Sequence, residues 1–95
     1  TVSGFAAPVT NVLAMQGNIL APSLTLRANG AQVGSNASSQ GTGNYGNYPL
    51  YLFSRAGSSY WFGGRFYGLI VRGAQSSAAQ ITQAEAYMNS KTKAY

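Results

Sequence analysis

Apolar and polar residues alternate most cleanly between positions 20 and 33. Leu20, Pro22, Leu24, Leu26 and Ala28 fall on one face by a period of two, and Ala31 and Val33 resume the alternation after Asn29-Gly30. Asn-Gly is the preferred pair for a two-residue hairpin turn because both positions need positive φ. The pattern therefore predicts antiparallel strands over residues 19–28 and 31–34. Upstream, Val9, Val12, Leu13 and Met15 predict a strand over 9–15 that stops at Gln16-Gly17-Asn18. Residues 1–10 are small and apolar, with Pro8, and read as an edge strand or a tail.

The densest apolar stretch is 48–72, YPLYLFSRAGSSYWFGGRFYGLIVR. Its aromatic and β-branched runs predict strands over 49–54 and 65–71, separated by turn-forming Gly and Ser. The core is expected to be built around it. The connection, 55–64, carries its own aromatic triplet of Tyr60, Trp61 and Phe62. Residues 35–47, SNASSQGTGNYGN, form a low-complexity polar loop. A loop this long is either a ligand-contacting rim or a linker across the top of a sandwich. The tail changes period: Ile81, Ala84 and Met88 lie at helical spacing, and Ser77 with Gln80 makes a capping box. A helix over 78–90 follows, with Lys91 and Lys93 placed favourably against its C-terminal dipole.

Size and composition narrow the chemistry. The 95 residues form at most one domain, and a chain of this size buries only about 60–65% of its unfolded surface. It has no Cys or His, so neither a disulfide nor a zinc site of the usual kind can staple it. No apolar run reaches membrane-spanning length, and TVSGFAAPVT lacks the features of a signal peptide. The chain is expected to be soluble. The missing initiator Met fits excision from something longer as well as it fits ordinary Met removal.

Six Lys and Arg face a single acid, Glu85, for a net charge of +5. One acid cannot supply the carboxylate pair of a usual glycosidase, a Ser-His-Asp or Cys-His arrangement needs His, and a calcium or magnesium site needs several carboxylates. The glycines of 41–43 and 63–64 lack the context of a phosphate-binding loop. The chain reads as a non-enzyme that requires no cofactor, unless it completes another subunit's site. Arg27, Arg55, Arg65, Arg72, Lys91 and Lys93 are spread along the chain rather than forming a phosphate-tracking stripe. Single-stranded nucleic-acid binding through aromatics near Arg55 and Arg65 is the third-ranked reading.

The run FGGRFYGLIVRGAQSSAAQI, residues 62–81, resembles the C-terminal part of concanavalin A-like jelly-roll domains of the laminin-G-like type. Phe62 and Gly64 match that family's Phe-x-Gly turn, Phe66, Leu69 and Val71 its last strand, and residues 77–81 its helix start. LTLRANGAQV looks like the family's Asn-Gly hairpin. The C-terminal half is similar to bacteriophage and prophage tail proteins, and the resemblance covers roughly residues 20–95. It implies an all-β antiparallel sandwich, jelly-roll-like, with one short C-terminal helix. It also implies a place in a virion or prophage tail, and carbohydrate or host-receptor binding. The family's full sandwich is much longer, so about half its strands have no counterpart here and sheet edges stand bare, inviting pairing with another chain. Self-association or a separate N-terminal segment is expected to complete the sandwich. The calcium-ligand carboxylates of many relatives also have no counterpart, so sugar binding is expected to be metal-independent.

A sugar site needs flat aromatic faces for the C–H side of the ring, and amides or guanidinium groups for its hydroxyls. Tyr45, Tyr60 and Trp61 supply the faces; Asn44, Asn47 and Arg55 supply the polar groups. All six lie in predicted loops. Trp61 either serves this site or plugs the core beside Phe62, and Tyr45 either serves it or anchors its loop. The competing reading is a purely structural virion or tail oligomerisation module whose Tyr-, Asn-, Ser- and Gly-rich loops are passive.

Overall fold

The computed structural model describes residues 9–43, 46 and 48–95. They form a three-stranded antiparallel sheet followed by one helix, with strands β1 (Leu13–Asn18), β2 (Ser23–Ala28) and β3 (Ala31–Asn36) in that order, and helix α1 (Ala78–Thr92). The sheet is a meander. In β1 and β2, Leu13 pairs with Ala28 and Asn18 with Ser23. Between β2 and β3 the register shifts after Leu26, which pairs with Gly34, while Arg27 pairs with Gln32. Val33 is thereby the extra residue of a bulge, which breaks the alternation expected of it.

The Asn29-Gly30 turn forms as predicted, with φ of 50° at Asn29 and 80° at Gly30. Asn29 also ties the hairpin to the strand entry. Its Oδ1 accepts from the Val12 N–H at 2.9 Å, its own N–H donates to the Val12 carbonyl at 2.8 Å, and its Nδ2 donates to Asn11 Oδ1. Predicted strand 9–15 is shifted to Leu13–Asn18 because β2 offers its partners there, Gly17 and Asn18 included. Predicted strand 19–28 begins only at Ser23, since Asn18 Oδ1 caps the N–H groups of Leu20 and Ala21 and turns the chain. β3 runs to Asn36, two residues further than its pattern indicated.

Helix α1 starts at its predicted box. Ser77 Oγ accepts from the Gln80 N–H at 3.3 Å, and Gln80 Oε1 accepts from the Ser77 N–H at 3.0 Å. Lys93, at φ 53°, closes the other end by donating its N–H to the Asn89 carbonyl. The tail then folds back, with Tyr95 and Asn89 exchanging two hydrogen bonds and the Tyr95 ring lying against Gly30. The helix turns Ile81, Ala84, Glu85 and Met88 inward, the positions one face of a helix provides.

The expected core is not where the chain is most apolar. Among the described residues the buried side chains are Val12, Ala28 and Glu85, whereas most large side chains of 48–72 stand exposed. Residues 49–54 and 65–71 belong to no ladder, in contrast to the two predicted strands; the one link in this region is an isolated bridge between Arg55 and Ser59. Strand propensity marks a segment that suits a sheet, but the sheet itself needs a neighbouring backbone. None of the described elements supplies one. The radius of gyration, 14.4 Å, exceeds the roughly 12 Å of a close-packed chain of this length. The fold is thus an antiparallel, mostly β unit with a C-terminal helix, and among the described residues there is no second sheet to close a sandwich.

Candidate functional site

The six predicted site residues divide in two. Asn44, Tyr45 and Asn47 lie outside the described residues. Arg55 and Tyr60 are brought together on a tight hairpin spanning residues 53–62, which also carries Trp61 next to Tyr60 in the chain. Its turn is made by Ala56 and Gly57, both at positive φ (51° and 68°), so that the Arg55 N–H donates to the Ser59 carbonyl at 2.7 Å. Below it the Phe62 N–H donates to the Phe53 carbonyl at 3.0 Å. The base is held by aromatic packing, with the Phe53 ring stacked on Phe62 at 5.2 Å and edge-on to Phe66 at 5.0 Å.

This frame fixes what its tip can present. Tyr60 sits at φ 54° and Phe53 at φ 64°, a left-handed conformation that costs a bulky residue energy and is held only where its surroundings demand it. The Arg55 guanidinium carbon lies 5.9 Å from the centre of the Tyr60 ring, within cation–π range. Tyr60 is 78% exposed and Trp61 71% exposed. Trp61 therefore stands in solvent and does not plug the core beside Phe62. One exposed aromatic face and a guanidinium fork thus share one surface, with the exposed Trp61 adjacent in sequence. Such a surface can stack on the C–H face of a ring and donate hydrogen bonds to hydroxyl or carboxylate oxygens.

Arg27, Glu85 and Arg72 are engaged elsewhere in the fold. Arg27 Nε donates to Glu85 Oε1 at 2.7 Å, Arg27 Nη2 to Glu85 Oε2 at 3.0 Å, and Nη2 also to the Gly30 carbonyl at 2.6 Å. The hydrogen bond to Glu85 raises the guanidinium pKa above its ordinary value, so Arg27 stays charged. Glu85 is 3% exposed and makes its ion pair from within the apolar stripe of α1. Sequence reasoning missed this pair. The available signal was the placement of Glu85, the single acid of the chain, beside Ala84 on the helix face that also carries Ile81 and Met88. Its effect on function is by subtraction: the one carboxylate of the chain is committed to holding α1 against β2. Arg72 is engaged too, donating to Gln80 Oε1 at 2.7 Å and to Ser76 Oγ at 3.3 Å.

No protein-family model, curated protein or solved structure matches the chain. No helix among the described residues is long and apolar enough to cross a membrane.

Proposed function

We propose that the chain is a non-catalytic carbohydrate- or host-receptor-binding module of a phage or prophage tail protein, with the tip of the 53–62 hairpin as its contact surface. The observation that carries the binding part is the pairing of Arg55 with Tyr60, the guanidinium 5.9 Å from an exposed ring, on a hairpin whose next residue, Trp61, is also exposed. Exposed aromatic faces beside a guanidinium suit a ligand that offers both an apolar ring face and hydrogen-bond acceptors. The tail setting rests on the resemblance of residues 62–81 to the C-terminal ends of tail proteins. The test is a glycan array probed with the chain and with Tyr60→Ala, Trp61→Ala and Arg55→Ala. Specific binding by the parent, reduced at least about tenfold in the two aromatic variants, supports the reading. Binding that survives all three substitutions, or no binding to any bacterial surface glycan, refutes it.

A second reading, a structural module of a tail assembly, is favoured by a different observation. Residues 65–71 expose Phe66, Tyr67, Leu69, Ile70 and Val71 together, and contiguous apolar surface of this kind marks an association face. Light scattering separates the two readings, because the structural one requires assembly and is indifferent to Tyr60 and Trp61.

A further inference from the structure

Asn29 is the only one of the chain's seven asparagines that a glycine follows; the residues after the others are Val12, Ile19, Ala37, Tyr45, Tyr48 and Ser90. An asparagine in that setting is open to attack by its own main chain, because glycine has no Cβ to shield its backbone nitrogen. Once base removes the Gly30 amide proton, the nitrogen bonds to Asn29 Cγ, the Cγ–Nδ2 bond breaks and ammonia leaves. A five-membered succinimide remains. Water opens it at either carbonyl to give aspartate or isoaspartate, so the sum is asparagine plus water to acid plus ammonia, with nothing oxidised or reduced. Asn29 is half-buried and Gly30 exposed. Water therefore reaches the site, and geometry decides the rate.

The closed hairpin opposes the first step. Asn29 Oδ1 accepts from the Val12 N–H at 2.9 Å and Nδ2 donates to Asn11 Oδ1 at 2.9 Å, so the carboxamide cannot turn to the Gly30 nitrogen without giving up both bonds. The backbone is held as well. The Asn29 N–H donates to the Val12 carbonyl at 2.8 Å, Arg27 Nη2 donates to the Gly30 carbonyl at 2.6 Å, and Ala28 pairs with Ala31. Asn29 and Gly30, at φ 50° and 80°, sit in the left-handed region that this two-residue turn needs. Neither product rebuilds it. An aspartate side chain has no N–H to offer Asn11 Oδ1, and isoaspartate adds a carbon to the main chain between Ala28 and Ala31.

We propose that Asn29 is a deamidation site guarded by the fold: the closed β2–β3 turn keeps its amide from the Gly30 nitrogen, and each opening of the turn exposes it to an irreversible conversion that leaves the hairpin weakened. The guarding partners, Val12 and Asn11, lie 17 and 18 positions away. Protection therefore belongs to the folded arrangement, whereas susceptibility belongs to the local sequence. The conversion adds a second side-chain carboxylate to a chain that has one, and lowers its net charge of +5 by one. Neither the chemistry nor its test depends on the binding reading above.

The test follows each asparagine by peptide mass mapping in the full chain, held in mildly alkaline buffer with and without denaturing urea, with fragmentation that distinguishes isoaspartate from aspartate. In urea Asn29 deamidates ahead of the other six asparagines. In buffer its rate is lower by about tenfold or more, because only the opened fraction reacts. Asn11→Ala, which frees Nδ2, speeds the reaction several-fold in buffer and leaves the rate in urea unchanged. The deamidated chain, separated by ion exchange, melts below the parent. Three results overturn the proposal: equal rates in buffer and in urea, an Asn11→Ala rate in buffer no different from the parent's, or a deamidated chain as stable as the parent. The first and third use the parent sequence alone, so they decide the matter whether or not Asn11→Ala folds.

Discussion

Arg27 and Glu85 meet at 2.7 Å across 58 positions of sequence, one from the middle strand of the sheet and the other from the inward face of the helix. The contact is two-pronged, and its guanidinium reaches on to the Gly30 carbonyl. One side-chain pair thus joins strand, turn and helix in a molecule with few buried residues among those described. Only the Glu85 side of the pair is buried, Arg27 being partly exposed, so removing Glu85 costs the contact while leaving a guanidinium that water reaches, and replacing both by apolar groups is often neutral or better. Glu85→Ala is expected to lower Tm by roughly 5–10 °C, and the Arg27→Met/Glu85→Leu double variant to recover most of the loss. Thermal melts of the single and double variants check this.

The same pair sets an alkaline limit. A group whose folded pKa is raised contributes stability that is complete below its unfolded pKa and is lost as pH rises through the folded one. For Arg27, whose pKa is raised above the already strongly basic value of a free guanidinium, that loss lies beyond the ordinary alkaline range. The Tm difference between the parent and Arg27→Gln should stay constant from about pH 7 to about pH 10; a difference that shrinks over that range contradicts the assignment.

At the β2–β3 turn, Asn29→Ala and Asn29→Gly should differ. Both lose the acceptor for the Val12 N–H, but only alanine also strains a backbone at φ 50°. We expect about 2–3 kcal/mol for alanine and about 1 kcal/mol less for glycine. Gly30→Ala combines φ 80° with a Cβ placed 3.3 Å from the Tyr95 ring and should cost about 1–2 kcal/mol. Urea titrations of the three variants give the ranking directly.

The hairpin's frame and its tip should separate by stability. Phe53→Ala removes the ring on which both Phe62 and Phe66 pack and is expected to cost about 1–2 kcal/mol. Tyr60→Ala and Trp61→Ala should change stability by no more than about 0.5 kcal/mol, because both side chains stand in solvent. Comparable losses at tip and frame would mean that the tip is packed after all.

Binding at this tip should not need a metal. The chain's one carboxylate is engaged by Arg27, and calcium or magnesium binding draws on several oxygen ligands. Glycan affinity is expected to be the same in chelator as in millimolar calcium, measured by calorimetry in both buffers.

Local signals were legible in the sequence and distant ones were not. Asn29-Gly30 and the Ser77–Gln80 box are set by residues one to three apart, and both formed as read. The inward stripe of α1 was legible except for Glu85, whose partner lies 58 residues away in a strand with no marker at Arg27. Residues 49–54 and 65–71 have strand composition, yet pairing depends on a neighbour that composition does not specify. Of the candidate site, residue type and loop position pointed to Arg55, Tyr60 and Trp61 as candidates. The approach of Arg55 to Tyr60 depends on the Ala56-Gly57 turn and the Phe53–Phe62 stack, which the sequence did not announce.

Trp61 is the only tryptophan of the chain, so its fluorescence reports on the proposed contact surface and on nothing else. The measurement that tests the central claim most directly is the Trp61 emission spectrum of the intact chain, titrated with polysaccharide from a bacterial cell surface that the glycan array identifies. The account predicts solvent-exposed, red-shifted emission from the free chain and a saturable blue shift as a sugar ring covers the indole, with the shift weakened in Tyr60→Ala. A chain whose free emission is already blue, or one that binds the polysaccharide with no change at Trp61, contradicts it.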